Sequence, residues 1–145
     1  MRKALVVGGA SGIGLAIATQ LAAREDYAAI HIVDRAQVPE DMVHEKFECH
    51  LFDLTSQDYG FFDRFMDIDT LMITAGFGHL ALFKDLSEDY IINMMNVNAV
   101  AVMRLIRRFY DRIASSDDFY CGVMVSIAGF MSSPFFSVYG ASKAA

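Results

Sequence analysis

The sequence predicts the α/β fold class, an open doubly wound parallel sheet with helices on both faces, and three observations predict it. Short continuous apolar runs alternate with stretches of helical periodicity along the whole chain. The first run, Ala4-Leu5-Val6-Val7, opens directly onto a glycine cluster between Gly8 and Gly14. No linker, internal repeat or low-complexity segment divides the 145 residues, so one domain spanning 1–145 is expected. Right-handed crossovers make 3-2-1-4-5 the expected strand order, reversing between strands 1 and 4.

Taken in order, Ala4–Val7 reads as a strand buried on both faces, because its apolar run does not alternate. Ile13, Ala16, Ile17 and Leu21 then recur at helical spacing to about Arg24. Ala29–Val33 is a second strand ending at Asp34, followed by a polar loop around Pro39 with room for one helical turn. Phe47, Cys49 and Leu51 alternate toward Asp53 as a third strand. Thr55 or Ser56 is the expected cap of a short helix reaching Met66. Thr70–Thr74 is the fourth strand, closed by Ala75-Gly76. Ser87 is expected to cap one long helix from Glu88 to Ala114. Val123–Val125 is the fifth strand, and a last helix begins near Tyr139.

Composition narrows the function classes. With 54% hydrophobic residues the chain has the material for a sizeable core. Its net charge of −6 disfavours nucleic acid as a partner. Arg104, Arg107, Arg108 and Arg112 form a basic stripe, read as a solvated helix face because acidic residues lie close by. The apolar stretch from Ala4 to Ala18 is interrupted by glycines and too short to cross a membrane, so no membrane association and a cytoplasmic location are expected. Cys49 and Cys121 lie apart in apolar stretches and read as reduced core residues. The histidines at 31, 44, 50 and 79 are scattered, none paired at a metal-binding spacing, and no metal is expected.

The glycine turn carries the first chemical signal. Gly8, Ser11, Gly12, Ile13 and Gly14 follow a strand and open a helix, with glycines spaced G-x-x-x-G-x-G. Glycine lets the backbone bend sharply and approach a pyrophosphate, and a helix N-terminus offers free N–H groups and a positive dipole end. A tight turn without a ligand is the plain alternative. Asp34 ends the second strand, where a carboxylate accepts from both adenosine ribose hydroxyls and repels a 2′-phosphate. That favours NAD. Arg35 next to it keeps NADP open.

Tyr139 and Lys143 stand four residues apart and share a face of the last helix. A free phenol has a pKa near ~10. A neighbouring ammonium stabilises the phenolate, so such a tyrosine can exchange a proton with a substrate oxygen while hydride moves. Ser126 is the candidate hydrogen-bond partner of the same oxygen. Alone, a Tyr-x-x-x-Lys pair means little. Its joint occurrence with Ser126, the glycine turn and the strand pattern gives it meaning.

With these motifs in this order, the sequence resembles a short-chain dehydrogenase/reductase over its whole length, a family with a Rossmann-like fold. The resemblance implies that Gly8, Gly12 and Gly14 form the cofactor turn. It implies that Asp53, followed by Leu54, contacts the adenine ring, and that Ala75 and Gly76 end the family's N-N-A-G motif. It further implies that Asn98 anchors a proton-relay water. Ser126, Tyr139 and Lys143 complete the catalytic set, with Lys143 also holding the nicotinamide ribose. An NAD(P)-dependent exchange between a small alcohol and a ketone follows, in a protein expected to form homo-oligomers when complete.

Three departures accompany the resemblance. Val7 stands where the family has threonine, and Ile73 and Thr74 stand where it has two asparagines, so an apolar contact is expected to tie strands 1 and 4. The family also continues beyond Ala145 with more of helix 5, two further strands and a substrate-covering loop. The chain is therefore expected to be a fragment, inactive by itself, with an active parent. Met94, Met95, Val102, Leu105, Ile106 and Phe109 then either lie bare or pack on the sheet. His79 reads as a surface residue. Phe130, Phe135 and Phe136 hint at an apolar substrate, although a structural role is the favoured reading for them. The competing reading is a dinucleotide-binding module without catalysis.

Overall fold

A computed structural model describes residues 1–145. Five parallel strands lie in the order β3-β2-β1-β4-β5, as the crossover rule required. They are β1 (Arg2–Val7), β2 (Tyr27–Asp34), β3 (Phe47–Leu51), β4 (Thr70–Ile73) and β5 (Tyr120–Val123). Helices α1 (Gly12–Ala22), α2 (Glu88–Met95), α3 (Ala101–Arg108), α4 (Tyr110–Ser115) and α5 (Ser137–Ala144) flank the sheet. β1 runs down the centre, with Val7 opposite Val33 on one side and Ile73 on the other.

The side chains of β1 alternate between two cores. Leu5 and Val7 pack with Phe62, Phe65, Leu71, Leu105 and Phe109 on one face. Ala4 and Val6 pack with Leu15, Ala18, Ile30 and Ile32 on the face covered by α1. Both faces are dry, which is why this strand reads as an unbroken apolar run.

Several local expectations need correction. The segment after Asp53 is a 3-10 helix at Tyr59–Phe65, and its cap is Asp58, whose carboxylate accepts from the Gly60 N–H at 3.1 Å. Thr55 instead bonds back to Asp53. The fifth strand lies three residues earlier than its apolar run, because it is an edge strand with exposed Tyr120 and Val123. In β3 the expected inward alternation holds only at Phe47, which packs against the α1-side core. Cys49 and Leu51 are exposed, while His50 turns toward the aromatic layer of Phe61 and Phe65.

Ser87 caps α2 as expected, accepting from the Tyr90 N–H at 3.1 Å. The long helix is not continuous, however. A π-helical turn at Asn96–Val100 separates α2 from α3, and Phe109 breaks the path to α4. Met94, Leu105 and Phe109 are buried, and Val102 and Ile106 pack against the core, so this face is covered by the sheet. The arginine stripe is also more than a solvated face. Arg104 donates to the Ser56 and Gln57 carbonyls and lies 3.6 Å from the centre of the Tyr59 ring. Arg108 pairs with Asp63, and Arg112 donates to the Ile68 carbonyl. No helix is long and apolar enough to cross a membrane.

Candidate active site

The β1–α1 turn is shaped by two glycines with positive φ, Gly8 at +87° and Gly12 at +52°. They differ in what surrounds them. A Cβ on Gly8 would lie 2.5 Å from the backbone nitrogen of Ala75, whereas one on Gly12 would meet nothing within 4 Å. Gly8 is thus pressed against the end of β4, and Gly12 faces open space. Gly14 is equally confined, since its Cβ would fall 2.1 Å from the Gly8 carbonyl oxygen. The free N–H groups of the first turn of α1 face outward beside Gly12.

The tie between β1 and β4 is the apolar contact expected where Val7 lies opposite Ile73 in the core, and a polar bridge is added beside it. The Thr74 hydroxyl donates to the carbonyls of Val7 (3.0 Å) and Gly8 (3.1 Å). Thr74 therefore bridges the two strands without an asparagine, and Ile73 beside it is buried in the core.

Two carboxylates stand at neighbouring strand ends. Asp34 accepts from the Ala10 N–H (3.0 Å) and the Ala36 N–H (3.1 Å), so it locks the glycine turn to β2. Asp53 accepts from the Thr55 N–H (2.9 Å) and hydroxyl (2.7 Å), and these bonds hold its carboxyl below the ordinary range. Leu54 is fixed through its carbonyl, which accepts from the Tyr59 hydroxyl at 2.7 Å.

Along these strand ends runs a groove of about 720 Å³. Gly8, Ser11, Gly12, Ile13, Gly14, Asp34, Arg35, Asp53, Leu54, Ala75 and Gly76 all line it. So do Tyr90, Asn93 and Val97, which sequence reasoning passed over. Their i, i+3, i+7 spacing puts them on one helix face, and that was the available signal.

Asn98, Ser126, Tyr139 and Lys143 do not line this groove themselves, and of the four Asn98 and Lys143 reach residues that do. The Lys143 ammonium donates to the Met124 carbonyl at 3.3 Å and lies 3.3 Å from where a Gly76 Cβ would be. Met124 and Gly76 both line the groove. The Tyr139 ring covers Gly78, whose Cβ would fall 2.4 Å from Cδ2, and it packs on Phe136 with centroids 5.4 Å apart. Ser126 caps the short turn Ile127–Gly129, its hydroxyl accepting from the Ala128 N–H at 3.2 Å. That turn is pressed onto α5: a Cβ at Gly129 would sit 2.7 Å from the Lys143 carbonyl oxygen, and one at Gly140 would sit 3.1 Å from the Ala128 oxygen. Small residues at both contacts let the serine-bearing turn and the helix approach closely.

Asn98 is buried within the π-helical turn, a distortion frequent at functional sites. Its amide accepts from the Phe77 N–H (2.9 Å) and donates to the Phe77 carbonyl (2.8 Å) and the Ser142 hydroxyl (3.0 Å). Ser142 in turn donates to the Tyr139 carbonyl at 2.7 Å. One side chain thus joins the β4 exit, the α2–α3 junction and α5. Asn98→Ala leaves the part-buried Phe77 N–H and carbonyl without this partner, while Ser142 keeps its bond to Tyr139, and should cost roughly 1–3 kcal/mol. A lowered urea midpoint together with faster hydrogen exchange at Phe77 is the expected result. An unchanged midpoint would contradict this strut role.

His79 is exposed on the loop after Gly78 and hydrogen-bonds the hydroxyl of groove-lining Tyr90. Phe135 has a φ of +66°, and its carbonyl accepts from the Ala81 N–H at 3.1 Å. This ties the Ser126–Tyr139 segment to the same loop.

Comparison with known proteins agrees with this architecture. The sequence model of the family described as short chain dehydrogenase matches residues 2–145. An uncharacterized short-chain type dehydrogenase/reductase y4eK from Sinorhizobium fredii (strain NBRC 101917 / NGR234) is 35% identical over 149 residues, covering 98% of this chain and 58% of the relative. A 3-oxoacyl-[acyl-carrier protein] reductase from Brucella melitensis, solved in complex with NAD, superposes with a TM-score of 0.78 at 28% identity, covering 99% of this chain and 62% of that one. An alcohol dehydrogenase from the archaeon Thermococcus sibiricus, complexed with 5-hydroxy-NADP, gives a TM-score of 0.83 at 25% identity, covering 99% and 66%. The chain spans less than two thirds of the length of each of these relatives. A match across almost every residue, on a sheet of the same strand order, makes this chain a member of the short chain dehydrogenase family.

Proposed function

We propose that the groove binds a nicotinamide dinucleotide and that the complete protein interconverts a small alcohol and its ketone. The observation that carries this reading is convergence. The glycine turn lines the groove, and the helix bearing Tyr139 brings the Lys143 ammonium to the same groove beside Gly76 and Met124.

The residues fit the group. Gly12 leaves space that any Cβ would fill, and the N-terminus of α1 presents N–H donors to a pyrophosphate there. Asp34 and Asp53 offer acceptors at the ends of β2 and β3 for ribose hydroxyls and an adenine amine. When bound, the dinucleotide supplies or accepts the hydride. The Tyr139 hydroxyl gives a proton to the carbonyl oxygen in reduction and takes it back in oxidation. Ser126 hydrogen-bonds that oxygen and fixes its direction. Lys143 holds a ribose and places positive charge near the phenol. Asn98 positions α5 through Ser142. The exposed Phe130 and Phe135 favour an apolar substrate. A cytoplasmic location and self-association belong to the same reading, the latter supported by exposed Ile92, Val100, Met103 and Tyr110 on the helices.

NAD is the preferred cofactor in this proposal, because Asp34 places negative charge where a 2′-phosphate would lie. Fluorescence titration should give tighter binding of NADH than of NADPH. Asp34→Asn keeps an oxygen for the Ala10 N–H but removes the charge, so it should move the affinity ratio toward NADPH by about tenfold, or 1.4 kcal/mol. Failure of both dinucleotides to bind would remove the proposal. A binding module without turnover predicts the same titrations but no rate for Tyr139 to influence.

A further inference from the structure

We propose that His31, Glu48 and His50 form a binding site for a divalent transition metal, with zinc as the best fit. The sheet creates this cluster. His31 lies directly opposite Glu48 across the β2–β3 pair, and His50 lies opposite Val33, two places along the same face. The His31 Nδ1 and the Glu48 carboxylate are 3.2 Å apart, the two imidazole rings have centroids 5.7 Å apart, and the three candidate ligand atoms lie within 4.8 Å of one another.

The surroundings argue against two ordinary core histidines. Phe65 packs on both rings, at 5.0 Å and 5.1 Å between centroids, and Phe61 covers His50. His50 Nε2 is buried with no hydrogen-bond partner, and His31 Nδ1 is buried with only the Glu48 carboxylate beside it, at 3.2 Å but outside hydrogen-bond geometry. Burying an unpaired polar nitrogen is costly, and a bound cation removes that cost at both rings together. Glu48 neutralises part of the cation's charge. Lys3 does not compete for Glu48, since it pairs with Asp67, and Arg64 lies over the Phe61 ring.

Two imidazoles and one carboxylate are a donor set suited to zinc, with bonds of about 2.0–2.2 Å and remaining positions filled by water. Tetrahedral ligands at that length stand about 3.4 Å apart. The His31–Glu48 pair is already at 3.2 Å, so closing the cluster requires the His50 ring to approach as Glu48 turns, and the Glu48 side chain, 56% exposed at the sheet edge, provides the entry path. The cation would clip β3 to β2 just before the strand ends bearing Asp34 and Asp53. It would therefore act on the stiffness of that edge. The proposal is independent of whether the groove binds a dinucleotide.

The test is calorimetric titration of chelator-treated protein with zinc, with cobalt(II) absorption reporting the coordination geometry. One zinc per chain is expected, together with intense tetrahedral cobalt bands and a melting temperature that rises with zinc. Glu48→Gln, at an exposed position that leaves the fold intact, should weaken binding at least tenfold and reduce the rise. His31→Phe combined with His50→Phe should abolish both. His44→Gln should change neither. Non-saturating zinc binding, or an affinity unaltered in Glu48→Gln, overturns the site even if the double variant does not fold.

Discussion

Tyr139→Phe is expected to lower the rate of ketone reduction by about 10²–10⁴, the usual contribution of one positioned acid/base group, with NADH affinity held within about twofold. Phenylalanine keeps the ring against Gly78 and Phe136, so α5 keeps its seat. Only the hydroxyl is lost. Lys143 retains its bond to the Met124 carbonyl and its place at the groove. The rate should be measured on the product of the complete open reading frame against a panel of ketones, with single-turnover kinetics to separate chemistry from release. A variant that reduces ketone as fast as the unaltered protein would sink the assignment of Tyr139. A parallel loss of NADH affinity would instead make the residue structural.

Gly8→Ala should be strongly damaging, and Gly12→Ala a mild change for folding. At Gly8 two penalties add. A φ of +87° costs an alanine about 1–2 kcal/mol, and its Cβ would lie 2.5 Å from the Ala75 nitrogen. Backbone cannot rotate away as a side chain can, so β1 and β4 must shift at the point where Thr74 bonds both Val7 and Gly8. Overpacking of this kind adds about 1–3 kcal/mol. The expected loss is roughly 2–5 kcal/mol, with dinucleotide binding lost as well. At Gly12 only the backbone penalty remains, since nothing lies within 4 Å. Its methyl would point into the groove, so NADH affinity should fall further than stability. Denaturation and NADH titration on both variants distinguish the cases. Equal stability losses would mean that Gly8 is not confined as described.

Strongly periodic, doubly buried segments were legible in the sequence. The run Ala4–Val7, the Ser87 cap and the glycine turn lie where propensity and packing agree. Edge strands were less legible, because only one face is covered and the apolar pattern loses its meaning. In β3 the residues that looked inward, Cys49 and Leu51, face water, and a histidine faces the aromatic layer. The π-helical turn around Asn98 left no mark on the helical spacing. It coincides with Asn98 bonds to Phe77 and Ser142, partners 21 and 44 residues away.

Local chemistry determined the class of the molecule. Alternating runs required a parallel sheet, glycines after the first strand required a tight turn, and Tyr139 and Lys143 four apart required a shared helix face. These depend on near neighbours in the chain, which a sequence displays directly. Tertiary structure alone decided which distant groups touch. It set Thr74 as the bridge between β1 and β4, tied Arg104 to the loop after Asp53, and put His31, Glu48 and His50 on one sheet face. Those pairings follow from strand order and register, which arise from how two cores close around the sheet and not from spacing along the chain.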